Sequence, residues 1–348
     1  MKPSVLRRPL AAALVAIWAA SAVAQEPGPR SEAVEYANAD VQLAAELLLP
    51  DVSGGPVPGA VIIQGSGSSD RTNSWARSIA EELVRNGLAV LLTDKRGSGA
   101  SQGDWRTCGF GELAADALAG VRHLAARDDV DGSRVGLVGL SQGGWVAPIA
   151  AAAFPEEVAF VVNLSGAAVS FAEQSFHEMT ATARQAGYDE AGVDRVLEIN
   201  RRAGHALMSA GAWEAYAEAR QKAIDGGLEG VAAGFPGRRD APIWTFLRRV
   251  WDFDPMPYWI LLRQPVLVVY GTLDESDNVP VAESVRRLEF AFAASRNERA
   301  EIVAIEGAGH GLRDPDTHGL HPRLREILAG WLAEHAVEAD RAPDPESG

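Results

Sequence analysis

From Glu32 to Pro50 apolar and polar positions alternate, the period of two expected of half-buried strands, and the stretch predicts a hairpin. A turn-rich segment over 50–59 follows, and then the pattern changes character. Short unbroken apolar runs at 60–63, 88–93, 134–140 and 158–164 predict strands buried on both faces. Between them, helical periodicity over 75–86, 111–127 and 142–154 predicts helices. Strand and helix in turn imply parallel crossovers, hence an α/β chain with a mostly parallel sheet flanked by helices. The rhythm stops after Gly166. From 171 to 259 only helical segments are found, rich in Ala, Glu, Arg and Gln and broken at Gly204, Gly211, Gly226 and Gly234. This predicts a helical cap over 167–262 inserted between two strands. Strands at 265–270 and 299–305, with helices at 281–295 and 322–335, resume the pattern, so the core comprises 25–166 and 263–339.

One junction in this pattern carries chemistry. Gly139-Leu140-Ser141-Gln142-Gly143 joins the strand over 134–140 to the helix over 142–154 and fits G-x-S-x-G. Such a serine sits on a sharp strand-to-helix turn, with small residues two positions either side so that the backbone can pass close to its neighbours. The following helix aims N–H groups and the positive end of its dipole at the reacting centre. With 35 glycines in 348 residues the bare pattern is weak evidence, and Gly99-Ala100-Ser101-Gln102-Gly103 matches it too. Context separates the two. Ser101 lies in a Gly-rich loop several residues past its strand, with no helix opening at Gly103, so Ser141 is the candidate nucleophile and Ser101 an ordinary loop serine.

A serine hydroxyl needs a base to take its proton and an acid to orient that base. On a turn of this kind the partners follow in the order serine, acid, histidine. Of seven histidines, His310 is best placed: it follows the strand over 299–305 in the loop EGAGHGL, at the carboxyl edge where α/β sheets gather their active groups. His318 and His321 lie in the next loop, where a metal pair is a weaker reading than a solvated loop. His123, His177, His205 and His335 fall in helical segments. The preferred acid is Asp274, directly after the strand over 265–270, with Asp277 as the competitor three residues on. Two N–H donors should face the developing oxyanion. The backbone of Gln142 supplies one, and Ser66, in the loop Gln64-Gly65-Ser66-Gly67, is the candidate for the other. That loop lacks the third glycine of a dinucleotide turn.

The stretches GSGSSDR (65–71), LLTDKRGSGAS (91–101), VGLVGLSQGG (135–144), PVLVVYGTLD (265–274) and EGAGHGL (306–312) resemble, in order, a bacterial subgroup of the α/β-hydrolase superfamily. That subgroup comprises exported or cytoplasmic esterases, often grouped with serine aminopeptidase-like and acyl-CoA thioesterase-like hydrolases. The resemblance implies that Asp94-Lys95-Arg96-Gly97 shapes the loop after its strand, with structural charges. Two departures stand out. Gln64 occupies a position that is often histidine, and the run from Asp274 to Pro280 is about two residues longer than usual.

Composition narrows the picture further. Lys2, Arg7 and Arg8, the apolar run from Leu10 to Ala20 and Ala22-Val23-Ala24 form the three parts of a signal peptide over 1–24, predicting export to the periplasm or the extracellular space. The apolar run is shorter than the roughly 17–25 residues of a spanning helix, so stable membrane insertion is not expected. The formal charge of −15 becomes −18 once the three positive charges of 1–24 are left out, a poor surface for nucleic acid. A single cysteine, Cys108, allows no internal disulfide. The tail over 340–348 is acidic and Pro-rich, a composition that predicts disorder. The leading expectation is an ester hydrolase acting on a small molecule, with no metal or organic cofactor. A peptidase, amidase or thioesterase on the same three residues is the alternative, and an inactive binding protein is a reading of another class. An aminopeptidase would want an acid in the cap for the substrate's ammonium, for which Glu173, Glu178 and Asp254 are candidates. Trp213, Trp244, Trp251, Tyr258 and Trp259 are read as packing residues or as walls of an acyl pocket.

Overall fold

The computed structural model describes residues 30–337 apart from 52–54, 229–233 and 235; the expected signal peptide and the 340–348 tail lie outside the described residues. The alternating stretch near the start forms β1 (Arg30–Asn38) and β2 (Val41–Leu49), an antiparallel hairpin. β3 (Val57–Ile63), α1 (Ser74–Arg85), β4 (Ala89–Thr93), α2 (Phe110–Ala125), β5 (Val130–Leu140), α3 (Gly143–Ala153) and β6 (Val161–Leu164) then alternate strand with helix. β7 (Val266–Gly271) and β8 (Ala300–Ile305) complete one eight-stranded sheet in the order β1-β2-β4-β3-β5-β6-β7-β8. β2 pairs antiparallel with β4, and every pairing from β4 to β8 is parallel.

The unbroken apolar runs are explained by layers on both sides of the sheet. Val61 and Ile63 of β3, Ala89 and Leu91 of β4, and Val266, Val268 and Tyr270 of β7 face one core, shared with α2, α3 and α9 (Val281–Ser295). Their neighbours Ala60, Ile62, Val90, Leu92, Leu267 and Val269 face a second core, against α1 and α10 (Pro322–Leu332). Side chains alternate across a strand, so a strand covered on both sides must be apolar at every position.

Two boundaries differ from the sequence expectation. The run over 158–164 enters the ladder only at Val161, although Val158 and Phe160 are buried. The residues before it still run beside β5, with the Ala159 N–H donating to Val135 O at 2.8 Å and the Leu137 N–H to Phe160 O at 3.0 Å, and the Phe160 ring fills the space beside Gly136, where a Cβ would lie 2.4 Å from the ring. The last helix ends at Leu332 and continues as a wider turn over Ala333–Val337.

Between β6 and β7 lie α4 (Phe171–Gln185), α5 (Glu190–Met208), α6 (Trp213–Asp225), α7 (Ile243–Val250) and α8 (Met256–Trp259). Among the described residues this insertion contains no strand. α4 opens with a capping box in which the Ser170 hydroxyl accepts from the Glu173 N–H and the Glu173 carboxylate accepts from the Ser170 N–H. Trp213 and Tyr216 each pack edge-on against Trp244 within the insertion, and Trp259, fully buried, meets Phe292 of α9. Phe171 of α4 meets Trp145 of α3 and Phe110 of α2, which ties the insertion to the helix that follows β5. Among the described residues no helix is long and apolar enough to cross a membrane.

Candidate active site

β5 ends in a run of six buried residues, and Ser141 follows it with a φ of +52°, in the left-handed region that a side chain with a Cβ adopts only at some cost. The turn closes because its flanking residues have no side chains. A Cβ on Gly139 would lie 2.4 Å from the Gly143 carbonyl oxygen, and one on Gly143 would lie 2.4 Å from that of Ile63. The Ser141 N–H donates to the Leu164 carbonyl at 2.9 Å, and α3 begins two residues later.

The partners come from the loops after β7 and β8. His310 Nε2 lies 3.0 Å from Ser141 Oγ, and His310 Nδ1 lies 2.8 Å from Asp274 Oδ2. Asp274 is fully buried, and its backbone carbonyl accepts from the N–H groups of Asp277, Asn278 and Val279. The two loops are tied together: Leu273 N–H donates to Ala308 O and Gly307 N–H to Thr272 Oγ1, each at 3.0 Å. Gly271 permits this approach, because a Cβ there would lie 2.2 Å from Ala308 O. Trp75 of α1 covers the imidazole, with ring centroids 5.6 Å apart. Asp277, the competing acid, is exposed and accepts from Gln185 Nε2 of α4 at 3.3 Å, away from the histidine.

Ser101 sits elsewhere and is occupied. Its buried hydroxyl donates to Asp94 O and accepts from the Ala44 N–H, both at 2.8 Å. The loop carrying Ser66 lies against the serine turn: a Cβ on Gly65 would be 3.6 Å from Ser141 Cβ. Gln64, the departure from the usual histidine, is buried and shapes this loop. Its amide donates to Thr93 O and Asp70 O, and its carbonyl accepts from Ser69 Oγ. The neighbouring charge run divides in two. Asp94 pairs with Arg71 at 2.6 Å and Arg96 with Asp116 at 2.6 Å, whereas Lys95 is buried and reaches the carbonyls of Gly65 and Gly67 and the side chain of Gln142.

A cavity of about 340 Å³ adjoins Ser66 and runs under the insertion, with Trp145, Phe171, Met179 and Leu247 as apolar walls. Of the three acids considered as ammonium anchors, Glu173 is engaged by Arg287, whose guanidinium holds its carboxyl down at about 2. Asp254 caps α8 through the Met256 N–H. Glu178 instead lines the cavity, open to solvent but recessed; desolvation raises its carboxyl above the ordinary value, partly offset by His310 and reinforced by Asp277 and Asp274. The five aromatic residues weighed as acyl-pocket walls serve packing: Trp244, Trp251 and Trp259 are buried in the insertion core, Trp213 packs on Trp244, and Tyr258 stacks on Phe253.

The remaining candidates are structural. Cys108 is buried, and desolvation raises its thiol above the ordinary value, opposite to what a nucleophile needs. His321 accepts from the Arg323 N–H at the start of α10, and among the described residues no group of three His, Cys, Asp or Glu is placed to hold a metal. His123 packs against Tyr36 and His335 against Trp331. His177 and His205 lie on α4 and α5. Sequence reasoning missed Trp75, the cavity walls Trp145 and Phe171, and Lys95. For Lys95 the one signal is a lysine two residues after a buried strand, between two neighbours that are ion-paired.

Solved structures with this arrangement of sheet and helices include the esterase Pf2001 of Pyrococcus furiosus, with a TM-score of 0.60 and 17% identity over 88% of this chain and 92% of that one. The α/β hydrolase GrgF of Penicillium sp. sh18 gives 0.56 and 19% over 88% and 99%. Est1E of Butyrivibrio proteoclasticus, solved with ferulic acid, gives 0.54 and 18% over 87% and 98%. The fold is that of the α/β hydrolases. No curated protein matches the chain. The family described as X-Pro dipeptidyl-peptidase (S15 family) matches residues 39–279, and the chain belongs to that family. It is therefore a hydrolase, in the superfamily that the sequence motifs imply.

Proposed function

We propose that this hydrolase cleaves carboxylic esters through an acyl-enzyme on Ser141. The observation behind this reading is the continuous chain of hydrogen bonds from Ser141 Oγ through His310 to Asp274, at 3.0 and 2.8 Å. Ser141 Oγ attacks the acyl carbon while His310 Nε2 takes its proton, and the carbonyl electrons move onto oxygen. The backbone N–H groups of Gln142 and Ser66 are the donors for that oxyanion. Collapse of the tetrahedral intermediate breaks the ester C–O bond, and His310 returns the proton to the leaving alcohol. Water then repeats the sequence and releases the acid. Asp274 holds the imidazole in the required tautomer and stabilises the imidazolium. The apolar walls at Trp145, Phe171, Met179 and Leu247 suit an acyl or aromatic group. Export through the 1–24 segment, to the periplasm or beyond, belongs to the same proposal.

A second reading is favoured by Glu178 and by the family: cleavage of a peptide with a free amino terminus, held by that carboxylate. Ester turnover alone does not separate the two, since an alkoxide leaves more easily than an amine. The test pairs nitrophenyl esters of increasing chain length with aminoacyl and X-Pro anilides, each with the amine free and blocked. Esters turned over and anilides untouched support the esterase; anilide cleavage that requires a free amine establishes the peptidase. Labelling with a fluorophosphonate and mapping the adduct tests the nucleophile, and an adduct at any residue other than Ser141 overturns both readings.

A further inference from the structure

We infer that Lys95 is a positioning residue for the oxyanion hole, tying the loop that carries one donor to the residue that carries the other. The inference rests on the reading of Gln142 and Ser66 as donors. Lys95 stands two residues past the end of β4, buried, and its ammonium meets three acceptors: the carbonyls of Gly65 and Gly67, the latter at 2.9 Å, and Gln142 Oε1 at 3.0 Å. Those carbonyls flank Ser66. A bond on each side of that residue restrains the peptide planes around it, and with them the direction of its N–H. The third bond spans from this loop to the first residue after the nucleophile. One side chain thus sets the separation of two donors that lie on different crossovers of the sheet.

The choice of a lysine for this place is informative. An ammonium has three donors and no acceptor, and here each donor has a carbonyl partner. Among the described residues no carboxylate forms an ion pair with it, while Asp94 and Arg96 on either side are both paired. Desolvation pushes the Lys95 ammonium down to about 7, the cost of a buried cation without a counter-charge. Three neutral amide or hydroxyl donors would hold a loop more cheaply. A positive charge behind donors that receive a developing anion has a use that a neutral link lacks, because it favours the transition state over the uncharged substrate. The rest of the surroundings keep the side chain in place. Its backbone N–H donates to Ser69 O at 3.0 Å, and Trp105 lies over the ammonium at 5.7 Å while bonding Ser68 Oγ.

The experiment compares wild type with Lys95→Met, Gln142→Met and the double variant on a nitrophenyl ester, with inhibition by a trifluoromethyl ketone and by the uncharged ether analogue of the ester. The ketone adds Ser141 Oγ and carries an oxyanion; the ether has no carbonyl and no charge. Lys95→Met is expected to lower kcat about 10- to 100-fold, below or at the loss for deleting an oxyanion donor, with KM within about threefold. Ketone affinity should fall by the same factor and ether affinity should hold. Gln142→Met, which keeps the backbone N–H, should lose about 3- to 10-fold in the same pattern, and the double variant no more than Lys95→Met alone. A folded Lys95→Met with unchanged kcat and ketone affinity overturns the inference, as does a purely additive double variant. Should Lys95→Met fail to fold, Gln142→Met decides: unchanged kcat and ketone affinity there overturn it equally. A wild type that neither turns over ester nor takes the ketone overturns the esterase reading and this inference together, whereas an active wild type with unimpaired variants overturns the inference alone.

Discussion

Ser101 and Ser141 sit in the same five-residue frame, a glycine two places before and two after and a glutamine directly following. The first hydroxyl is locked between Asp94 O and the Ala44 N–H, buried in a loop that turns back on β2. The second stands on a left-handed residue at the end of β5, and its hydroxyl meets an imidazole brought from 169 residues away. In one case the glycines serve a loop; in the other they let α3 start against β3 and β5. What makes a serine a candidate nucleophile is an Oγ left unspent by the backbone and reachable by a base, and a five-residue pattern encodes neither.

That contrast can be broken at several points. Ser141→Ala should lower turnover of a nitrophenyl ester by about 10⁴-fold or more with little change in Tm, as steady-state kinetics and thermal melting would show; near-normal turnover would remove the distinction between the serines. Asp274→Asn should cost about 10³- to 10⁴-fold in kcat, because the imidazole tautomer is lost, while Asp277→Asn stays within about twofold. Ser101→Ala should leave kcat per folded molecule within about threefold but cost about 1–3 kcal/mol in denaturant unfolding, since two buried backbone groups lose their partner. An activity loss larger than the stability loss would show that the loop serine has a chemical part after all.

The smallest expected effect concerns the residue joining the two frames, Lys95, which shares its loop with Ser101 and touches Gln142. Its folded ammonium is lowered to about 7 from the model-peptide value of 10.5, so between those pH values the unfolded chain binds more protons. Stability from this group is therefore lowest below pH 7 and rises up to about 10.5. Relative to Lys95→Met, wild type should gain a few °C in Tm over that window. A constant difference across pH would mean that Lys95 keeps an ordinary proton affinity.

Much of the architecture was legible in the chain because burial writes itself into period. Strands covered on both faces are apolar throughout, as in VLVVYG, and helices show one apolar stripe, as in α1. Ser141, His310 and Asp274 stand out in the sequence by their places after strands, and the structure brings those three side chains within hydrogen-bond distance. In the sequence Asp277 competes as the acid because both aspartates lie in one short loop; a 3₁₀ turn over Thr272–Ser276 directs the first inward and leaves the second at the surface. The cavity was illegible, since Trp145 looks like any residue of an apolar helix until Phe171 and Met179 are seen across from it.

By itself, then, the sequence determined the alternation of strand and helix, the insertion that interrupts it and the chemical types available at the sheet's carboxyl edge, because these follow from local periodicity and glycine placement. Tertiary structure alone decided which hydroxyl is free, which carboxylate meets the imidazole, and that Lys95 lies against Gln142, 47 positions along the chain. Those outcomes depend on distances between segments that no local pattern records, and on desolvation, which exists only once the segments have packed.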